Sequence, residues 1–183
     1  MSILKQHNSM LNSVKVYEKL LETLSEKEFK NTPKAGVWSY AEVYSHIFQS
    51  NLGSLIAVEK CILGTGNKSD KTIHWIAWLI LFIGRFPPGK LKAPERIASM
   101  VSKINMEEAR NLIIKFKKRL EDLTLRINKA SKDQTIKHPR LGLLNASQWF
   151  RFIEVHTRHH ARQLHRINKA LKDKGVIFSE IVS

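Results

Sequence analysis

The sequence predicts an all-α protein: an antiparallel four-helix bundle with one extra short apolar helix, in a single domain over residues 1–183. Four long segments repeat apolar residues every three or four positions, which is the period of an amphipathic helix. Three of these segments begin at a polar residue that can cap a helix, with Glu or Gln three positions later. We find no segment with the alternation of a β-strand and no internal repeat, so helices packed on helices are expected.

The first long helix is expected from about Ser2 to Leu24. Its apolar residues at positions 3, 10, 14, 17, 21 and 24 are three, four or seven residues apart and therefore share one face. Ser25 and Glu28 have the spacing of a capping box and predict one short extra turn. The polar residues 31–36, which include a proline and a glycine, then mark a connection.

The second long helix is predicted from Ser39, which has capping-box spacing to Glu42, to about Leu63. Residues 64–69 read Gly-Thr-Gly-Asn-Lys-Ser and have the composition of a phosphate-binding loop. The spacing of a Walker motif is absent, because Asn67 and not glycine stands directly before Lys68, and we interpret this stretch as a turn.

Residues 71–84 form the most apolar segment, which is well short of the roughly 20 residues that a membrane-spanning helix needs. We therefore expect a helix buried on the bundle. The alternative is an interfacial helix, with the basic segment that follows it resting on anionic lipid.

The third and fourth long helices begin at Asn105 and Asn145, each with Glu or Gln three residues later. The core face of the third helix comprises Ala109, Leu112, Ile113, Phe116, Leu120, Leu123 and Ile127. The corresponding stripe of the fourth comprises Trp149, Phe152, Ile153, His156, His160, Leu164 and Ile167. Two histidines therefore lie on a core stripe and not on the solvent face.

The chain is strongly basic, with 31 Lys and Arg against 16 Asp and Glu and a net charge of +15. Such a surface attracts anions, so binding to nucleic acid or to an anionic surface is one open function. A basic ridge at three- and four-residue spacing supports this alternative: Arg158, Arg162, Arg166 and Lys169. A single cysteine, Cys61, excludes an intrachain disulfide and fits a reducing compartment. With no signal-peptide pattern at the N-terminus, we expect a cytoplasmic protein.

Three histidines form the candidate site. His156 and His160 are four residues apart, so their rings lie about 40° apart on one helix face, as two ligands of one metal require. His46, on the core stripe of the second helix, could face them. Three neutral imidazoles leave a fourth position for water or substrate, and they suit Zn, Ni, Fe or Mn. The alternatives are ordinary hydrogen-bonded core histidines, or His159 in place of His160; His165 is expected to be exposed.

The histidine pair does not form a zincin motif, because Thr157 stands where those proteases need Glu. Three nearby polar residues could instead orient the ligands or carry protons: Glu42, Glu154 and Gln163.

Together these motifs resemble the DinB-like (YfiT-like) superfamily of metal-binding helical bundles. The resemblance spans roughly residues 8–170. It rests on Trp38-Ser39-Tyr40-Ala41-Glu42-Val43-Tyr44-Ser45-His46, on the stretch from His138-Pro139-Arg140-Leu141-Gly142 to Trp149, and on His156-Thr157-Arg158-His159-His160-Ala161-Arg162-Gln163. It implies an up-down-down-up bundle with His46, His156 and His160 as ligands of a divalent metal.

The same resemblance implies a function. Some members are similar to S-transferases that use the low-molecular-weight thiols bacillithiol or mycothiol, or to thiol-dependent isomerases, and homodimers are common. We therefore expect a metal-dependent transferase that activates such a thiol for attack on a small electrophilic substrate, with Arg158 and Arg162 holding the thiol's carboxylates. A non-catalytic metal-stabilised bundle is the other alternative.

Overall fold

The computed structural model describes residues 1–69, 73–87 and 101–172 of the chain. Within these ranges the helices are α1 (Ile3–Thr23), α2 (Glu26–Lys30), α3 (Tyr40–Ile62), α4 (Trp75–Ile83), α5 (Met106–Arg126) and α6 (Ala146–Lys172). They confirm the four long helices and the short apolar one. None of the helices in these ranges combines the length and apolar character needed to cross a bilayer.

The helix starts follow from the capping residues that the sequence offers. Ser39 accepts a hydrogen bond from the backbone N–H of Glu42, while the Glu42 carboxylate accepts from the Ser39 backbone, which completes a capping box. The side chains of Asn145 and Gln148 each accept from the other's backbone N–H at 3.0 and 2.9 Å. These contacts fix where α3 and α6 begin, and therefore the heights at which their histidines project.

Helix α6 packs against both α1 and α3, and α5 packs against the same two helices. The first two long helices, α1 and α3, therefore lie across the bundle diagonal. In the centre the Tyr44 hydroxyl donates to the Tyr17 carbonyl at 2.7 Å, and the Tyr17 hydroxyl donates to the Thr157 carbonyl at 3.0 Å. Both phenols are fully buried, so these bonds satisfy groups that would otherwise be costly to bury.

A small antiparallel sheet was missed by the sequence analysis. It has the order β1 (Asn67–Lys68), β2 (Gln134–His138) and β3 (Gly142–Asn145), and it lies at one end of α3. The predicted turn at residues 64–69 is thus partly a strand. Gly66 is needed there, because a Cβ at this position would lie 2.8 Å from the carbonyl oxygen of Thr135.

His138 organises the turn of the β2–β3 hairpin. Its Nδ1 accepts hydrogen bonds from the backbone N–H groups of Arg140 and Leu141, both at 3.1 Å. Its ring packs on Phe152 with centroids 4.5 Å apart. Burial, and then the charge of Arg140, lower the pKa of His138 to about 4. The neutral ring is therefore a structural element of the turn.

We expect the protein to lose stability in acid partly through His138. The folded pKa lies below the unfolded value of about 6.5, so the unfolded chain binds the proton first and stability falls as the pH drops from about 6.5 toward 4. In His138→Asn the amide oxygen can replace the Nδ1 acceptor without titrating. Urea unfolding at pH 7 and at pH 4.5 should show that the variant loses less unfolding free energy between these two pH values than the wild type does. The difference should reach up to about 1.4 kcal/mol per pH unit. An equal loss in both proteins would refute this role.

Helix α4 differs from the prediction of a buried helix. Only Ala77, Ile80 and Leu81 are buried, on the side that faces the bundle. The remaining large apolar side chains are exposed: Trp75, Ile76, Trp78, Leu79, Phe82 and Ile83. The prediction was wrong because a helix that is apolar on all sides predicts burial on all sides, whereas the bundle covers only one side of α4.

Candidate metal centre

The three predicted histidines meet inside the bundle. Ligand atoms of His46, His156 and His160 all lie within 4.8 Å of one another, and the three side chains are buried. The two α6 rings bring their Nε2 atoms to 3.1 Å, and the α3 ring is edge-on to both, with centroids 4.8 and 5.2 Å away. The prediction that these residues converge is confirmed.

Two amide side chains set the tautomers of the α6 histidines. His156 Nδ1 lies 3.0 Å from Asn51 Oδ1, and the Asn51 amide nitrogen donates to the Thr157 hydroxyl at 2.8 Å. His160 Nδ1 lies 2.7 Å from Gln163 Oε1. An amide oxygen can only accept, so both Nδ1 atoms carry the proton and both Nε2 atoms present a lone pair.

Burial keeps the three imidazoles neutral. It lowers the pKa of His46 to about 4 and is the largest cause that lowers the pKa of His156 and His160 well below the usual value. The mutual proximity of the rings lowers the pKa of His156 and His160 further. Neutral imidazole is the form that binds metals.

A divalent metal fits the cluster on two observations. Two Nε2 lone pairs facing each other at 3.1 Å repel unless a cation lies against both. Nitrogens about 2.0–2.1 Å from one metal at a tetrahedral angle are about 3.3 Å apart, close to this separation. In addition, His46 Nδ1 is buried and has no hydrogen-bond partner among the described residues, which is uncommon for a core histidine.

Gln163 is expected to strengthen metal binding by holding His160. Because partners of ligating histidines fix the ring and raise its basicity, Gln163→Ala should weaken affinity for Zn²⁺ by roughly 10–100-fold. Competition with a chromophoric chelator measures this. Gln49→Ala is the matched control, since Gln49 is a half-buried helical glutamine that bonds to Ser45 and not to a histidine. Equal effects of the two changes would contradict the role of Gln163.

Aromatic side chains surround the cluster. Phe152 stacks on His156 with centroids 5.2 Å apart, and Trp38 lies 5.0 Å from the ring of His46. Phe86, which follows α4, contacts His159 at 5.1 Å. These rings restrict water near the histidines and so strengthen electrostatic interactions there.

Arg158 and Arg162 point away from the two candidate ligands of α6, although the charge of Arg162 contributes to the lowered pKa of His159. Each follows a candidate ligand by two residues and so points about 200° around the helix from it. Both line a cleft of about 520 Å³ between α1 and α6, together with Lys5, Asn12 and His165. Arg158 already donates to Glu154 at 2.9 Å and to the Gly84 carbonyl at 2.8 Å. The prediction that these arginines hold a thiol's carboxylates therefore has no support from their position beside α1.

Of the other polar candidates, only Gln163 contacts a histidine of the cluster. Glu42 completes the α3 capping box, and Glu154 binds Arg151 and Arg158 in buried ion pairs, so neither carboxylate is free to act at the histidines. Gln163 contacts a candidate ligand, as the spacing from His160 allowed.

Cys61 is buried with its Sγ 4.0 Å from the Leu144 carbonyl, and burial raises the pKa of its thiol to about 11. It is a packing residue, as expected.

Asn51 was not identified from the sequence, and Arg166 was identified only as part of the basic ridge. Asn51 is a polar residue of low helix propensity on the buried apolar stripe of α3, between Phe48 and Leu55, and this position is the only signal that could have found it. Arg166 belongs to the predicted basic ridge, but its position matters more than expected. Its positive charge contributes to the lowered pKa of both His159 and His160, whereas that of Arg162 contributes to the lowered pKa of His159 alone.

The fold resembles solved helical bundles. YfiT from Bacillus subtilis, described as a probable metal-dependent hydrolase with an unusual four-helix bundle topology, superposes with a TM-score of 0.59 at 14% identity, covering 96% of this chain and 90% of its own. TT2238, a four-helix bundle protein, superposes with a TM-score of 0.50 at 16% identity, covering 90% and 99%. At these identities the likeness concerns the fold alone. No curated protein matches the sequence.

The sequence profile of the DinB superfamily matches residues 13–164, a range that includes all three histidines of the cluster. This match covers most of the chain and agrees with the four-helix bundle found above. The protein belongs to the DinB superfamily.

Proposed function

We propose that His46, His156 and His160 bind one divalent metal ion, and that the protein is a metal-dependent transferase for a low-molecular-weight thiol. The observation that carries this proposal is the facing pair of unprotonated Nε2 atoms, 3.1 Å apart, beside a third buried imidazole. Among the described residues this group supplies three nitrogens and no carboxylate. A four-coordinate ion would therefore keep one position for a substrate atom, as catalytic sites do.

A metal in this position supplies positive charge that lowers the pKa of a bound thiol and holds it as the thiolate nucleophile. The residues of the chain orient the ligands and limit the access of water. Asn51 and Gln163 keep the two α6 rings oriented, and the aromatic residues around them limit water. The thiol loses its proton to solvent, its sulfur forms a bond to an electrophilic carbon, and the leaving group departs with the electrons of the broken bond.

Arg166 is the residue we assign to hold an acidic thiol. It is exposed, and of the arginines of α6 it is the one whose charge contributes to the lowered pKa of His160 as well as of His159. A guanidinium in this position can bind a carboxylate through two parallel hydrogen bonds. This replaces the assignment of that role to Arg158 and Arg162.

Thiol transfer fits the site better than hydrolysis, the reaction suggested for YfiT. Metal-dependent hydrolysis commonly uses a carboxylate as general base, but Glu42 and Glu154 have other partners. Thr157, at the position where zincins have Glu, donates its hydroxyl to the Ile153 carbonyl. A thiol requires no such base, because it is far more acidic than water.

The test uses the full chain reconstituted in turn with Zn²⁺, Ni²⁺, Fe²⁺ and Mn²⁺. Each form is incubated with bacillithiol, mycothiol or glutathione and monochlorobimane, and conjugate formation is followed by fluorescence. We expect metal-dependent turnover of at least one thiol, an increase in KM for that thiol in Arg166→Ala, and no turnover in His46→Ala. A metal-loaded protein that converts none of these thiols, or that hydrolyses an ester instead, would overturn the proposed reaction.

A further inference from the structure

We propose that the outward face of α4 docks the protein onto the surface of an anionic lipid bilayer. This face consists of the six exposed apolar side chains of α4: Trp75, Ile76, Trp78, Leu79, Phe82 and Ile83. The metal cluster plays no part in the argument, so the proposal stands or falls independently of the proposed function.

The α4 face is unusual in its exposure and composition. Phe82 is 72% exposed and Trp75 67%, and the rings of Trp78 and Phe82 stack with centroids 4.9 Å apart. None of the nine residues from Trp75 to Ile83 is charged. Contiguous apolar surface of this kind commonly marks an interaction site, unlike single exposed leucines elsewhere.

The bundle holds α4 in a fixed position. On its inner side Ala77, Ile80 and Leu81 pack in the core. At its C-terminal end Arg151 donates to the Leu81 carbonyl at 2.9 Å and Arg158 donates to the Gly84 carbonyl at 2.8 Å.

Gly84 closes the helix in the left-handed region, with φ +73°. This backbone conformation favours glycine, and a Cβ at Gly84, 2.2 Å from the Arg151 guanidinium, would also displace the end of that side chain. The core contacts and the two arginine hydrogen bonds therefore hold the exposed face of α4 in a fixed position on the bundle.

The geometry of α4 suits the surface of a bilayer. Nine residues give a helix about 13–14 Å long, which cannot span the hydrocarbon core but can lie in the plane of the interface. Trp75 and Trp78 supply indole rings, which favour the boundary between headgroups and acyl chains. Arg85, directly after the helix, is exposed and would meet the headgroups.

The net charge favours anionic lipid over a second copy of the chain as the occupant of the α4 face. The net charge of +15 attracts an anionic surface, whereas two copies that meet through α4 would bring two such charges together. Nucleic acid would also be attracted, but it has no acyl region to receive six apolar side chains. The combination of apolar face and positive charge therefore selects anionic lipid as the occupant.

Sedimentation with vesicles tests this proposal. We expect the full chain to bind phosphatidylcholine vesicles that contain 30% phosphatidylglycerol, and to bind pure phosphatidylcholine at least tenfold more weakly. The double variant Trp78→Ser/Phe82→Ser should lose at least about tenfold in partitioning, because two large apolar side chains no longer enter the interface. The matched control is Ile114→Ser/Leu125→Ser on α5, where both residues are exposed, at 62% and 79%; it should bind as the wild type does.

Each alternative gives a different result. No vesicle binding at low salt, or equal loss in both double variants, would overturn the proposal. A concentration-dependent dimer in analytical ultracentrifugation that only the α4 variant abolishes would assign the face to a second copy instead. Circular dichroism and thermal unfolding of both variants verify that the substitutions leave the fold intact.

Discussion

Replacing His46 with alanine is expected to remove metal binding. The wild type should hold about one divalent ion per chain after reconstitution, and His46→Ala should hold close to none after dialysis. The loss should exceed the roughly 10–100-fold expected for a residue that only orients a ligand, because a direct nitrogen donor disappears. Elemental analysis of the dialysed proteins measures the ratio.

His159→Ala is the matched control for this experiment. His159 lies next to His160 on α6 with ring centroids 5.1 Å apart, and the sequence alone allowed it as a substitute ligand. It is not part of the group of three whose ligand atoms converge. We expect His159→Ala to keep its metal. Loss of metal in this variant with retention in His46→Ala would reverse the assignment.

Replacing Glu154 with alanine is expected to cost about 3 kcal/mol of unfolding free energy, because it removes a buried carboxylate that accepts three charge-assisted or hydroxyl hydrogen bonds and leaves the partly buried Arg151 and Arg158 without their ion pair. Glu154 is only 1% exposed and accepts from the Ser9 hydroxyl at 2.7 Å, from Arg151 at 2.5 Å and from Arg158 at 2.9 Å. The same arginines hold the end of α4. For a chain of this size the melting temperature should fall by roughly 6–12 °C.

Glu18→Ala provides the comparison for Glu154. Glu18 pairs with Lys117 at 2.8 Å, but both side chains are substantially exposed, at 34% and 44%. Such a pair contributes at most about 1 kcal/mol. Differential scanning calorimetry of the two variants should therefore separate them clearly. Similar melting temperatures would mean that the Glu154 cluster does not stabilise the fold as its burial indicates.

The sequence was sufficient for the bundle and for placing His156 and His160 on an inward-facing stripe of α6. Regular apolar spacing specified the four helices, and capping residues such as Ser39 and Asn145 specified where they begin. The position of His156 and His160 on the core stripe indicated that they point inward. That His46 meets them follows from α3 packing against α6, which periodicity alone could not establish.

The β-strands were missed for a physical reason. Strand β2 has five residues and β3 has four, too few for alternation to be recognised, and β2 buries the polar residues Gln134 and Thr135. β2 and β3 form a local hairpin, but the pairing of β1 with β2 depends on contacts between distant parts of the chain, such as that between Asn67 and Thr135. The contact of Asn51 with His156 likewise spans 105 residues. Which side of α4 is exposed also depends on its packing against a distant part of the chain, helix α6.

Anomalous diffraction from crystals of the metal-reconstituted protein tests the central claim most directly. At the absorption edge of the bound metal, we predict one strong peak per chain, about 2.0–2.2 Å from a nitrogen of each of His46, His156 and His160. The fourth position should be occupied by solvent or by an added thiol. A peak elsewhere, or no peak at these histidines in a protein that contains metal, would contradict the account.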